Sequence, residues 1–284
     1  MSARRGPRAR GGHRRPRARL TAAGRRAAIA LLLGAAVAGR AAAQLRLEAE
    51  SQVADAVTLR LHATNTAAEV MHDIVPEVVY HHRTVVAERV AAIAPGAAHE
   101  WRATLPPPPG PGTFPATIRL RYAAGDGRAR SGLLVHLIRT PGAPPPDVRA
   151  TLVTEPVSRL GHAAVMLENA APERVAGRLV VALPLDLRTD PESLPAEIAA
   201  SGRISLPVVV QNVGARPGDL RPVFALFEYD RDGTHHTVLA EATLAVVGRS
   251  GEQRPLVVGL AALAVTLSIL AIAWRSTRAR RPAG

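Results

Sequence analysis

The sequence contains no cysteine and no lysine; all 36 of its basic residues are arginine. Without thiols there are no disulfides, no cysteine nucleophile and no thiolate zinc or iron–sulfur site, so stability must come from packing alone. Aromatic side chains are scarce too, with two Trp, three Tyr and three Phe in 284 residues, which argues against the exposed ring platforms that bind sugars. No Gly-x-Ser-x-Gly elbow, His-Glu-x-x-His zinc motif or glycine-rich phosphate loop occurs; Gly110 and Gly112 belong to a proline-dense turn with no helix after it. These absences remove the usual marks of hydrolases and nucleotide enzymes. The chain reads as non-enzymatic, with no cofactor required.

Acidic residues are missing from both ends. The first is Glu48 and the last Glu252, whereas eleven arginines lie at or before Arg40 and four follow Trp274. The formal charge of +13 and the pI near 11.5 are therefore carried by the termini. Residues 44–254 hold 21 Arg against 23 acids and are close to neutral, so a nucleic-acid partner is not expected.

What is present at the ends accounts for that charge. Residues 256–274 (LVVGLAALAVTLSILAIAW) form a nineteen-residue run without a charge or a polar stripe. At about 1.5 Å per residue it spans roughly 28 Å, the thickness of a bilayer's hydrocarbon layer. Pro255 stands at a helix start, Trp274 suits the interface, and the arginines of 275–284 place the C-terminus in the cytoplasm. The N-terminal run from Ala27 to Gly39 is too short to span; it follows an arginine-rich start and precedes Ala41-Ala42-Ala43, so residues 1–43 read as a signal peptide cleaved between Ala43 and Gln44. Gly24-Arg25-Arg26 adds a twin-arginine hint.

The intervening region is punctuated twice. Residues 141–147 form a proline-rich linker and residues 248–255 a polar stalk, which leaves domains at 44–140 and 148–247, each the size of one β-sandwich. Apolar residues alternate with polar ones along 57–63, 116–122 and 203–210. Turn signals at Asn65, Pro95-Gly96, Gly125–Gly127, Asn212–Gly214 and Asp232-Gly233 separate the strands. The fold class expected is all-β: two tandem immunoglobulin-like β-sandwiches followed by one C-terminal transmembrane helix.

Asn65, Asn169 and Asn212 each close an alternating strand before a small-residue turn, where Asn tolerates a positive φ and bonds local backbone. Some thirty residues after the first comes the segment 93–101 (IAPGAAHEW), and 194–206 (LPAEIAASGRISL) falls at the matching place in the second domain. In this spacing the chain resembles bacterial immunoglobulin-like domains of the cell-adhesion-related (CARDB-like) kind. That resemblance implies a binding or spacer module and supplies no catalytic residues.

Histidine is the residue type that raises the question of a metal. His62 and His72 flank a turn, and His81 and His82 are adjacent; these four are the candidate ligands, although neighbours on a strand point to opposite faces and cannot chelate as a pair. The acid pairs Glu48/Glu50 and Asp230/Asp232 read as a solvated strand face and a turn. The expected protein is thus a single-pass bacterial inner-membrane protein whose extracytoplasmic domains bind or space an envelope protein. Two alternatives stay open: a substrate of a sortase- or exosortase-like system, and a periplasmic histidine-based metal module.

Overall fold

Period-two patterning predicts strands, and strands are what form. The computed structural model describes residues 45–248, which contain sixteen β-strands and no α-helix. No helix among the described residues is long and apolar enough to cross a membrane. The leader, the Ala43/Gln44 junction and the apolar run 256–274 lie outside the described residues.

The first eight strands are β1 (Leu45–Val53), β2 (Val57–Asn65), β3 (Met71–Tyr80), β4 (Arg83–Val86), β5 (Val90–Ile93), β6 (Ala98–Leu105), β7 (Thr113–Ala123) and β8 (Ala129–Arg139). They make two antiparallel sheets, β1-β2-β6 and β4-β3-β7-β8 with β5 against β3. The alternation of β2 decides which face is buried: Val57, Leu59, Leu61 and Ala63 turn inward, while Thr58 and Arg60 face water. With Ile74, Val78, Tyr80, Trp101, Ile118 and Leu120 they form one core. Each such aliphatic side chain contributes about 1.5–3 kcal/mol on burial.

The second eight are β9 (Val148–Thr154), β10 (Leu160–Asn169), β11 (Val175–Ala182), β12 (Leu187–Thr189), β13 (Ser193–Ile198), β14 (Arg203–Asn212), β15 (Leu220–Arg231) and β16 (Thr234–Ala245). They form the sheets β12-β14-β10-β9 and β13-β11-β15-β16 around a second core that includes Val165, Leu167, Leu179, Ile198, Val210 and Phe227.

The three asparagines repeat one device. Asn65 Oδ1 accepts from Ala67 N, and its Nδ2 donates to the carbonyls of Glu69 and Ile93. Asn169 does the same toward Ala171 N, Glu173 O and Ala199 O, so a single buried side chain ties its own turn to a turn about thirty residues on. Asn212 bonds Gly214 N, Ala215 N, Ala215 O and Ser158 O. The local bonding expected from sequence is present, but the positive φ is not. Among non-glycine residues that conformation falls on Asp73, His81, His82, Ser201 and Asp232 instead. With the amide already satisfying the turn's backbone, the asparagine itself stays extended at the strand end.

A third apolar cluster joins the two halves. Leu133 and Val135 of β8 bury against Ala182, Phe224 and Leu226 of β11 and β15, with Val180 and Leu239 at the margin. Main chain crosses here as well: Gly112 bridges His235, His235 N donates to Pro111 O at 3.1 Å, and Thr237 Oγ1 donates to Thr113 O at 2.8 Å. The sandwiches lie side by side, and the linker doubles back along them. Arg139 donates to Ala143 O, Asp147 N donates to the Tyr229 hydroxyl, and Asp147 pairs with Arg231.

Candidate functional site

The four candidate histidines do not converge. His62 lies on the outer face of β2 between Glu48 and Glu100, with Nε2 3.4 Å from Glu100. His72 sits in the other sheet, opposite Ala92 and Ala123. His81 and His82 form the β3–β4 turn, with φ of 45° and 61°, and are not neighbours on a strand. Among the described residues no group of three or more His, Asp or Glu is placed to hold a metal ion. Glu48 pairs with Arg46, Asp230 with His235, and Asp232 with Arg231, all at the surface.

His235 and His236 do lie on one strand and diverge, as alternation requires. His236 is buried and stacked on Tyr229 at 4.9 Å, and burial pushes its pKa down. His235 stacks on Phe114 across the junction, with ring centroids 4.7 Å apart and planes 10° from parallel. It lines a cleft of about 540 Å³ shared by His81, Pro111, Arg178, Glu228 and Asp230. Glu228 raises its pKa most, and Asp230 adds to the shift, against the opposing effect of burial. Asp230 is nearer, at 2.8 Å against 3.7 Å, but its carboxylate is open to solvent and screened where Glu228 is sheltered. The hydroxyl of Thr237, 3.5 Å from His235 Nε2, donates to Thr113 O across the junction.

A raised folded-state pKa gives stability that is fully present below the unfolded value near 6.5 and fades as pH rises through the folded value. His235→Gln should therefore lower the melting temperature most below about pH 6 and least above about pH 8. Comparing melts of wild type and variant across pH checks this; a difference that grows with pH would refute it.

A second cleft of about 330 Å³ opens on the other side of the junction, lined by Arg121, Arg130, Arg216 and Arg221. Each arginine already has a carboxylate: Glu77 for Arg121, Asp126 for Arg130 and Arg216, and Asp186 with Asp219 for Arg221. Of these pairs Arg216–Asp126 crosses the junction, and Arg128 also lines the cleft.

The outer faces of two corresponding sheets differ sharply. On β1-β2-β6 the solvent face carries Arg46, Glu48, Glu50, Arg60, His62, Glu100 and Arg102. On β12-β14-β10-β9 the charges are the row Arg149–Glu168–Arg203 and, on the edge strand, Arg188 beside Gln211. The rows that follow read Thr151–Met166–Ser205, Val153–Ala164–Pro207, His162–Val209 and Leu160–Gln211. Val153 is 52% exposed, Met166 39% and Val209 45%, which makes a short apolar stripe among Thr151, His162 and Ser205. Sequence reading passed over it because each strand alternates correctly; the only signal was the apolar residue at polar positions such as Val153 and Val209. All seven described aromatics are buried, so the stripe is aliphatic.

No family model matches the chain, and no curated protein matches it. Solved structures similar to it include red sea bream transglutaminase, at 13% identity over 73% of this chain and 32% of that one, with a TM-score of 0.28. Escherichia coli α-2-macroglobulin in its native conformation is similar at 10% identity, over 72% and 17%, with a TM-score of 0.32. A protein of unknown function from Porphyromonas gingivalis W83 is similar at 14% identity, over 71% and 100%, with a TM-score of 0.26. The chain spans a third or less of the length of the first two.

Proposed function

We propose that this chain is a non-enzymatic, single-pass membrane protein of the bacterial cell envelope whose paired immunoglobulin-like sandwiches bind a protein partner outside the cytoplasm. The observation that carries the reading is the aliphatic stripe on β9-β10-β14, a flat face of about the kind that buries against another folded surface. Anchoring rests on the apolar run 256–274 and its arginine tail, and export on the leader ending at Ala43. A long spacer is the less suitable role, because sandwiches packed side by side do not extend reach. The reading is tested by isolating the crosslinked protein from membranes. A stoichiometric envelope protein should come with the wild type and be lost with Val209→Asp, while the variant melts as wild type does; recovery undiminished by the substitution counts against the stripe.

A further inference from the structure

The first described strand starts, and the last one finishes, toward the same end of the body. Leu45 pairs with Asn65 at one end of the first sandwich, the end that also holds the β7–β8 turn. At the corresponding end of the second sandwich the exit from β16 is bound into three loops. Val247 N donates to Val157 O, Gly218 N to Val246 O, Val213 N to Asp186 O, and Asn212 N to Arg159 O. An ion pair between Arg216 and Asp126 and a bond from Leu185 N to Ser131 Oγ join this end to that of the first sandwich.

Large apolar side chains gather there. Leu160 is 58% exposed, Leu185 49%, Val213 45%, Val247 43% and Leu220 41%, which is five of the nine large hydrophobics that stand exposed among the described residues. The opposite end, made of loops 170–174, 199–202 and 231–234, has none of them and carries Glu173, Arg174, Arg231 and Asp232. Arg128 and Arg159 are exposed near the apolar group. Aliphatic tips with arginines beside them, among Asp126, Asp186 and Asp219, suit the boundary between headgroups and acyl chains.

From the last described residue, Gly248, only seven residues separate the body from Leu256. Seven residues span at most about 25 Å even when fully extended, so the apolar end cannot lie farther than roughly that from the start of 256–274. We propose that this end is a membrane-docking face, seated on the same bilayer that the C-terminal segment spans, so that the body stands upright and its β9-β10-β14 face looks sideways. The proposal rests on the anchoring reading given above.

The absence of native cysteine makes a direct test possible. Full-length protein carrying a nitroxide at Leu185→Cys, Val213→Cys or Leu220→Cys is reconstituted in vesicles of phosphatidylethanolamine and phosphatidylglycerol. Collision with oxygen is then compared with collision with a soluble nickel chelate. Leu267→Cys reports on the anchor, and Arg174→Cys, at the opposite end and 75% exposed, gives the aqueous reference. The three docking positions should show an oxygen-to-nickel ratio several-fold above position 174 and approaching position 267. A ratio equal to that at 174, with 267 reading lipid, overturns the docking face and leaves the anchor standing. Low collision with both reagents shows protein covering this end and likewise overturns the proposal. An aqueous reading at 267 removes the anchor itself, and the docking face with it.

Discussion

Asn169→Ala should destabilise the second sandwich by about 2–4 kcal/mol. The side chain is 1% exposed and serves three backbone groups: Ala171 N, Glu173 O and Ala199 O. Truncation leaves those groups unpaired, at roughly 1–3 kcal/mol for each one that water cannot reach. Asn65→Ala should cost as much in the first sandwich, since its bonds are the same and it is fully buried. Asn212→Ala should cost less, because its amide lies at a half-exposed strand end. Asn169→Asp discriminates hydrogen bonding from packing: the volume is kept, but two donations to carbonyls become repulsions, so it should be no better than Ala. Urea denaturation reads all four, and a loss below about 1 kcal/mol at both Asn65 and Asn169 would show that the asparagines are incidental to the turns.

The second large effect is expected at the junction. A Cβ on Gly112 would stand 2.1 Å from the backbone oxygen of His235, where only main chain can yield, and Gly112 has a φ of +145° that side chains seldom adopt. The conformation alone costs roughly 1–3 kcal/mol for a non-glycine residue. Gly112→Ala should therefore push the two strands apart and break the bonds of His235 N and Thr237 Oγ1 across the junction. Phe224→Ala should act from the apolar side, removing the largest ring of the inter-sandwich cluster at about 3–5 kcal/mol. In both variants one cooperative unfolding transition should split into two, followed by calorimetry. A single transition that merely shifts would mean that the sandwiches are coupled elsewhere.

How much of this was legible in the sequence depends on the range of the interaction. The alternation of 57–63 and 203–210 became β2 and β14, because a strand with one buried face writes its own period. The asparagines told of local turns, since Asn65 and Asn169 act mostly on residues within four positions of themselves, but not of their bonds to Ile93 O and Ala199 O. The junction was harder to see. Leu133-Leu134-Val135 and residues 223–227 (VFALF) are apolar on both faces, a mark of strands covered on both sides, yet nothing local says that each covers the other. The proline-rich linker suggested separation, whereas Arg139, Tyr229 and Arg231 pin it back. His235 was invisible as a junction residue because its partners, Phe114 and Pro111, lie more than a hundred positions away. The apolar end of the second sandwich escaped notice for the same reason, as Leu185, Val213 and Val247 come from three separate loops.

The aliphatic face of β9-β10-β14 is the proposed seat of a protein partner. Photo-crosslinking in native membranes, from position 209 on that face and from position 60 on the charged face of β1-β2-β6, tests it most directly. The expected result is one adduct of discrete mass from position 209 that is absent from position 60. No adduct at 209, or the same adduct pattern from both faces, would contradict it.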